Sequence, residues 1–268
     1  MKVSLGADPE VFLCKEIRNE PVGFVSAVGI IGGSKSEPRD LGDGFFVQED
    51  NVTAEFNIPP SFSADEFAEN VYKGLANVDK LALEAGLEVA NGVASCSFPE
   101  SELQTEAAKL FGCDPDYDAW TTFMNDKPHC SDESFRSCGG HVHVGGIEGM
   151  DPFSVIRAMD LFLGVPAVVL DKDTKRKQLY GKAGSFRFQS YGVEYRTLSN
   201  FWIFQPFLRK WVWEATIKAV EFAKSVKIKE DSIEGKQIQI CINNNDAEMF
   251  KTLRAKYPSI GILDYARP

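Results

Sequence analysis

The stretch CGGHVHVGG, residues 138–146, holds two of the three histidines in the chain. Histidine and valine alternate in it, so in a β-strand Val142 and Val144 point to one face and His141 and His143 to the other. The valine face predicts burial against a core, and the imidazole face predicts a binding surface. Two glycines stand at each end, where we expect them to leave space for a ligand near the backbone.

Four other strand-like segments divide in the same way into an apolar and a polar face. Their polar members are Asp8 and Glu10 in ADPEVF, Glu55 in NVTAEFN, Arg187 and Gln189 in SFRFQSY, and Glu194 and Arg196 in YGVEYRTL. Any one such face alone could simply be solvated. Together they combine carboxylate and imidazole, which bind divalent cations such as Mg²⁺, Mn²⁺ or Zn²⁺, with arginine, which binds phosphate or carboxylate through paired hydrogen bonds.

The segments around these strands predict an α+β fold. A helix is predicted over residues 63–86, where Ser63 and Glu66 form a capping box and Gly86 marks the end. Hairpins join several strands, so we expect a mostly antiparallel sheet with helices packed on one face. Further helices are expected over residues 151–170 with Asp151 as N-cap, over residues 201–226 with a kink at Pro206, and near residues 246–257.

Length, composition and charge limit the classes of function. A chain of 268 residues that is 44% hydrophobic can bury one large core, and without a linker-like tract a single domain is the simplest interpretation. The net charge of −10 argues against a large nucleic-acid-binding surface. The start, MKVSLGADPEVFL, is too polar for a signal peptide, and residues 153–170 are too short and too charged for a membrane span, so we expect a cytoplasmic protein. The scattered cysteines are expected to be reduced.

The chain resembles the phage-type carboxylate–amine ligases, the COOH–NH2 ligase type 2 group, which are distant relatives of glutamate–cysteine ligase and glutamine synthetase. Four segments carry the resemblance, in the family's order: GADPEVFL, VTAEFNIPP, GGHVHVG and RKQLYGKAGSFRFQSYGVEYRTLSNFW. It implies a curved sheet like the catalytic domain of glutamine synthetase, with ATP and Mg²⁺ or Mn²⁺ on its concave face. It also implies a ligase that joins a carboxylate to an amine through an acyl phosphate.

The resemblance also implies a role for each polar strand residue. Metal ligands are expected at Glu10, Glu55, His143 and Glu194, with Glu49 as a further ligand. Phosphate and carboxylate oxygens are expected to be held by Arg187, Arg196 and Arg176, and ATP also by Lys182 and His141. The substrates would be small-molecule or peptide acids and amines. Residues 92–136 and the C-terminal sixty residues carry no family motif and are our candidates for substrate choice.

Three other interpretations of the same residues remain open. A zinc site would use His129, Cys130, Cys138 and His141, although their spacing is unusual for zinc. A cysteine-dependent enzyme would use Cys138 beside His141, although nothing in the sequence marks this thiol as activated. A binding or structural protein would keep the ligase fold without its activity, although such a protein has no need to retain the carboxylates.

Overall fold

The computed structural model describes residues 2–17, 20–109, 116–126 and 130–260. In this part of the chain the strands are β1 Ser4–Ala7, β2 Glu10–Val11, β3 Leu13–Ile17, β4 Glu20–Val25, β5 Arg39–Gly42, β6 Phe45–Asp50, β7 Thr53–Asn57, β8 Glu88–Val89, β9 Ser95–Ser97, β10 Tyr117–Asp118, β11 Phe135–Ser137, β12 Val142–Gly145, β13 Ser185–Gln189 and β14 Gly192–Tyr195. The helices are α1 Ala64–Glu84, α2 Glu106–Lys109, α3 Pro152–Met159, α4 Val165–Leu170, α5 Pro206–Ser225, α6 Ile233–Asn243 and α7 Ala247–Lys256.

Two sheets build the body of the fold. One has the strand order β1-β12-β14-β13-β10 and the other has the order β2-β7-β6-β5, and each of these strand pairs is antiparallel. The sheets meet at Asp8 and Pro9, between β1 and β2. Backbone hydrogen bonds continue across this junction, since the amide of Ile58 donates to Ala7 and the amide of Phe56 donates to Pro9.

The helices cover the apolar side of these sheets. Helix α1 packs on β6 and β7, α3 packs on β13 and β14, and α5 packs on both helices. Val142 and Val144 are fully buried in this core, as their alternation with the histidines predicts. The predicted N-caps of α1 and α3 are confirmed, because Ser63 and Asp151 accept the expected amide hydrogen bonds. The predicted α+β class, with a mostly antiparallel sheet, is likewise confirmed.

Residues Pro152–Leu170 are helical throughout, with a π-helical turn at Asp160–Gly164 between α3 and α4. By length and composition this helix could cross a membrane, which corrects our expectation that it is too short and too charged. Within the protein, however, 78% of the most apolar 18-residue stretch of this helix is buried. It therefore packs as a core helix.

Three elements differ from the sequence prediction. Pro206 begins α5 instead of kinking a longer helix, because the residues before it, Asn200–Phe204, form a separate 3-10 turn. Helix α6 was not predicted, since the isoleucines on it favour strands as much as helices. The strand predicted around residues 136–146 is confined to β12, because β11 pairs with β9 in a different sheet.

Candidate active site

The site begins as a row of side chains across the five-stranded sheet. Antiparallel register places His143 opposite Glu194 on β14, and Glu194 opposite Arg187 on β13. Next to this row, His141 Nδ1 lies 3.3 Å from Asp8 Oδ1 and 3.3 Å from Arg196 Nη1. The polar side chains at alternate positions of three strands thus meet on the face of the sheet opposite the core.

A first group of ligand-type side chains, here called the histidine cluster, consists of Asp8, His143 and Glu194. One ligand atom of each lies within 4.8 Å of the other two. The Tyr191 hydroxyl makes a short hydrogen bond with His143 Nδ1, so Nε2 is turned towards Asp8 Oδ1, 3.0 Å away. These two atoms are buried and ion-paired with each other, and Asp8 Oδ1 also lies 3.3 Å from His141 Nδ1. A cation bound by both atoms would replace this contact, since imidazole nitrogen and carboxylate oxygen are both metal ligands.

A second group, here called the carboxylate cluster, consists of Glu10, Asp50 and Glu55, again with oxygens within 4.8 Å of one another. Glu10 faces Glu55 across the β2–β7 pair and accepts a hydrogen bond from the Gly139 amide at 2.7 Å. Glu55 accepts one from Gln48 Nε2 at 2.9 Å. Mg²⁺ prefers an oxygen donor set such as this one, whereas imidazole in the histidine cluster favours Mn²⁺ or Zn²⁺.

The two clusters differ in their balance of charge. Burial raises the pKa of Glu55 well above its ordinary value, and the charges of Asp8, Glu10 and Asp50 raise it further. Burial acts in the same direction on Asp8, but the neighbouring His143 and His141 outweigh it and hold the pKa of Asp8 well below its usual range. In the carboxylate cluster the repulsion on Glu55 thus outweighs the attraction of Lys35, whose Nζ lies 3.1 Å from Asp50 Oδ2, and a bound cation would relieve it.

Arginines lie beside both clusters. Arg196 is buried, its Nη1 makes a short ion pair with Glu194, and its Nε lies 3.6 Å from an oxygen of Asp116. Arg187 Nη1 lies 3.6 Å from Glu194 on the neighbouring strand. Because both guanidinium groups are next to the histidine cluster, they are placed to bind anionic oxygens of a ligand held there.

Arg176 is also buried, behind Arg196. Its Nη1 and Nη2 donate to the backbone oxygens of Thr197 and Arg196, at 3.1 and 3.3 Å. Its Nε is buried without a hydrogen bond, although the side chain lines a cavity. The arginine is thus held by its own backbone contacts at the wall of this cavity.

The clusters lie in the middle of a connected series of cavities. A central cavity of about 430 Å³ contains both clusters together with Arg187 and Arg196. It shares Glu10 and His141 with a small inner cavity of about 70 Å³, whose further lining includes Asp116, Arg136, Arg176 and Tyr180. It also shares His143 with an outer cleft of about 400 Å³, which is lined largely by Ile58, Pro60, Phe62 and Tyr191. A chamber with arginines thus lies on one side of the clusters and an apolar cleft on the other.

At Gly139, Gly140 and Gly145 the space that a Cβ atom would need is occupied by the protein itself, and Gly139 and Gly145 also line the inner cavity and the outer cleft. A Cβ atom at Gly139 would lie 2.2 Å from His141 Nε2, and one at Gly140 would lie 2.3 Å from the Ser199 backbone oxygen. At Gly145 a Cβ would lie 2.7 Å from the Ser4 hydroxyl. Gly139 is therefore the position at which added bulk would act directly on the site.

We expect Gly139→Ala to displace the His141 ring and to weaken Mn²⁺ binding by about tenfold, as changes to groups that orient metal ligands commonly do. Gly23→Ala is the matched control, because a Cβ there meets nothing within 4 Å. Titration calorimetry with Mn²⁺ checks the expectation. Equal affinity in the two variants would show that the His141 ring has no part in the metal site.

Two expected site residues lie elsewhere. Glu49 points away from Glu55, because the β6–β7 register pairs it with Ala54, and its carboxylate accepts hydrogen bonds from the amides of Gly29 and Gly32 at 2.9 and 2.8 Å. Lys182 is exposed and lines none of the three cavities. The structure thus corrects the placement of both residues. It brings the other expected residues together around the central and inner cavities, namely Glu10, Glu55, His141, His143, Arg176, Arg187, Glu194 and Arg196.

Three acidic residues of the site were not assigned from the sequence. Asp8 shares a predicted strand face with Glu10, but Pro9 breaks the strand and the two carboxylates enter different clusters. Asp50 lies two residues from Gln48 on β6, and the pairing of Gln48 with Glu55 brings it to the site. Asp116 lies in the irregular region 92–136 and carried no sequence signal, although that region was expected to hold functional residues.

The structure does not support the cysteine-based alternatives. Cys138 is fully buried in a small apolar cluster with Phe12 and Val52. Burial, with the nearby charge of Glu10, raises the pKa of its thiol well above the ordinary value, the opposite of an activated nucleophile. Within the described ranges, neither group suited to a metal contains a cysteine. His129, the remaining zinc candidate, lies outside the described residues.

Comparison with known proteins finds similarity both to solved structures and to one protein family. Three solved structures are similar over nearly the whole chain: "GmaS/ADP complex-Conformation 1" (12% identity, TM-score 0.43, covering 99% of this chain and 67% of that one), "Crystal structure of novel glutamine synthase homolog" (12%, 0.42, 98% and 65%) and "Apo GmaS without ligand" (13%, 0.40, 97% and 67%). This chain thus spans about two thirds of their length. No curated protein matches it.

The sequence profile of the family described as "Phage phiEco32-like COOH.NH2 ligase-type 2" matches residues 133–257. These residues include β12, β13 and β14, which carry His143, Arg187 and Glu194. Over this range, slightly less than half of the chain, the resemblance to the type 2 COOH–NH2 ligases is confirmed.

Proposed function

We propose that this protein is an ATP- and Mg²⁺-dependent ligase that joins a carboxylate to an amine. The observation that carries the proposal is the pair of ligand clusters in one cavity, with Arg187 and Arg196 beside them. ATP-dependent ligation needs cations to hold phosphate oxygens and arginines to neutralise their charge. The family match over residues 133–257 supports ligase chemistry at the coarse level.

The donor atoms fit two divalent cations. Glu10, Asp50 and Glu55 would hold one through oxygen atoms only, and Asp8, His143 and Glu194 would hold the other. When bound, divalent cations would offset the negative charge that develops during phosphoryl transfer. The orientation of His143 supports this assignment, since Tyr191 holds the ring through Nδ1 and turns Nε2 towards Asp8.

The chain's own cationic groups would then position the reactants. Arg187 and Arg196 would bind oxygens of the transferred phosphoryl group, because both lie beside Glu194 in the central cavity. Arg176, which lines the inner cavity, would attract the carboxylate of the acid substrate through its charge. The apolar lining of the outer cleft suits a nucleobase, with Phe62 and Tyr191 partly exposed there.

The reaction that this arrangement supports has two steps. A carboxylate oxygen of the acid attacks the γ-phosphorus of ATP, which releases ADP and gives an acyl phosphate. The amine then attacks the acyl carbon, and inorganic phosphate leaves as the amide bond forms. Both bond changes occur between substrates, so the protein needs no covalent nucleophile, in keeping with the buried, protonated thiol of Cys138.

We expect ATP to stabilise the protein only when Mg²⁺ or Mn²⁺ is present. At a hundred times its dissociation constant a ligand raises the free energy of unfolding by roughly 2.7 kcal/mol. Thermal melting with ATP, ADP and a non-hydrolysable ATP analogue, each with and without either cation, measures this. A cation-dependent shift would be followed by a screen of acids and amines for ADP release.

Two results would contradict the ligase proposal. No shift with any nucleotide would favour the alternative in which the fold serves as an inactive binding or structural module. Stabilisation by Zn²⁺ alone, independent of nucleotide, would favour the zinc site that includes Cys130 and Cys138.

A further inference from the structure

Another buried carboxylate, that of Asp160, lies behind the site at the π-helical turn of the core helix. Asp160 is the first residue of this turn and its side chain has no exposed surface. Its Oδ2 accepts hydrogen bonds from Trp120 Nε1 at 2.7 Å and from the Gly184 amide at 2.6 Å. Its Oδ1 accepts one from the Tyr195 hydroxyl at 2.7 Å and a longer one from Thr197 Oγ1 at 3.4 Å.

These donors come from three separate segments, and each segment carries a residue of the site. Tyr195 and Thr197 stand on either side of Arg196, and Tyr195 also follows Glu194. Trp120 belongs to the same segment as Asp116, whose carboxylate faces Arg196 Nε at 3.6 Å. Gly184 ends the loop that begins with Arg176. The Asp160 carboxylate therefore connects the three segments that carry Arg176, Arg196, Glu194 and Asp116.

The local structure is fitted to this contact. Gly164 closes the π-helical turn, and a Cβ atom there would lie 2.7 Å from the Tyr195 hydroxyl, so glycine allows that hydroxyl to reach Asp160. Gly184 has φ +80°, and a Cβ atom there would lie 2.3 Å from Asp118. π-helical turns interrupt α-helices frequently at functional sites. Burial raises the pKa of Asp160 to about 7, while the hydrogen bonds from Tyr195, Trp120 and Gly184 act in the opposite direction.

We propose that Asp160 is a positioning residue of the site, which fixes Glu194, Arg196, Asp116 and the Arg176 loop relative to one another. The inference rests on the proposed function, because it holds that these hydrogen bonds serve the binding of cations and phosphate. A purely structural role would instead affect the free energy of unfolding alone.

The test compares Tyr195→Phe with Tyr257→Phe. Each variant loses one tyrosine hydroxyl bonded to a carboxylate, but Tyr257 bonds Glu234 on α6, and neither residue lines the three cavities. Asp160→Asn is the second test variant, because the amide keeps one acceptor oxygen and nearly the same shape. Mn²⁺ affinity, measured by electron paramagnetic resonance titration in the presence of ADP, is compared with the unfolding temperature.

We expect Tyr195→Phe and Asp160→Asn to weaken Mn²⁺ binding by about tenfold or more, whereas Tyr257→Phe leaves it unchanged. Wild-type affinity in both test variants would overturn the inference and leave the proposed function standing. Failure of the wild-type protein itself to bind Mn²⁺ would overturn the proposed function and the inference together.

Discussion

Replacing Glu55 by glutamine is expected to abolish cation-dependent ATP binding and, at the same time, to stabilise the metal-free protein. Glu55 is buried with its carboxylate within 4.8 Å of those of Glu10 and Asp50. A glutamine fits the same space, and its carbonyl oxygen can accept the hydrogen bond that Gln48 now donates. The substitution thus removes a buried like charge and a metal ligand in one step.

The sign of the stability effect follows from the direction in which the pKa moves on folding. Burial, with the charges of Asp8, Glu10 and Asp50, raises the folded-state pKa of Glu55 above its unfolded value. Its contribution to stability is therefore complete below about pH 4.5 and is lost as the pH rises through the folded-state pKa. We therefore expect Glu55→Gln to have a higher free energy of unfolding than wild type at neutral pH, and nearly the same one at about pH 4.

Urea unfolding of the metal-free protein at several pH values measures the gain, and calorimetry with Mg²⁺ and ATP measures the loss of binding. Glu84→Gln, an exposed position near the end of α1, is the matched change of charge and should alter neither quantity. A Glu55→Gln protein that is less stable than wild type at neutral pH would contradict the repulsion within the carboxylate cluster. One that binds Mg²⁺ and ATP normally would remove Glu55 from the metal site.

Strand alternation predicts the inner surface of this site well where a strand is regular. His143 on β12 and Glu194 on β14 lie on the predicted face because a two-residue period fixes the face of every residue once one is buried. Their apolar neighbours, Val142, Val144 and Val193, are all fully buried. The polar face of a regular strand could therefore be assigned without knowledge of its partners.

Alternation fails where the position of a residue depends on how two strands pair. Glu49 and Asp50 stand next to each other before a hairpin turn, and only the register that sets Gln48 opposite Glu55 shows which of them faces the site. At Asp8 the strand is broken by Pro9, so the period does not continue to Glu10. Asp116 and Arg176 reach the site from irregular segments, where sequence periodicity has no meaning.

The glycines beside the histidines show a similar limit. Their clustering marks close packing, but the sequence does not say whether a ligand or another part of the chain comes close. At Gly139 and Gly140 the space is filled by the His141 ring and by the backbone of Ser199. These neighbours come together only through tertiary structure, so the sequence marks the positions without showing what fills the space beside them, and the ligand stays a prediction.

Arg196→Lys is expected to lower kcat/KM by about 10²–10³-fold although the charge is kept, an effect of the size seen when one donor to a developing oxyanion is lost. The guanidinium contacts Glu194 and His141 through Nη1 and approaches Asp116 through Nε. A lysine ammonium is a single point donor, so it can keep the ion pair with Glu194 or approach a phosphate, but it does not span these positions. Because the metal ligands are untouched, the dissociation constant for Mn²⁺ should change much less than turnover.

The measurement is ADP release with the acid and amine found in the screen, together with Mn²⁺ titration. Arg254→Lys on α7, which lines none of the three cavities, controls for the change of side chain. Arg187→Lys should lose less than Arg196→Lys, since Arg187 is more exposed and its ion pair with Glu194 is longer. Near-normal turnover in Arg196→Lys would assign this arginine to the support of Glu194, and phosphate binding would then depend on Arg187.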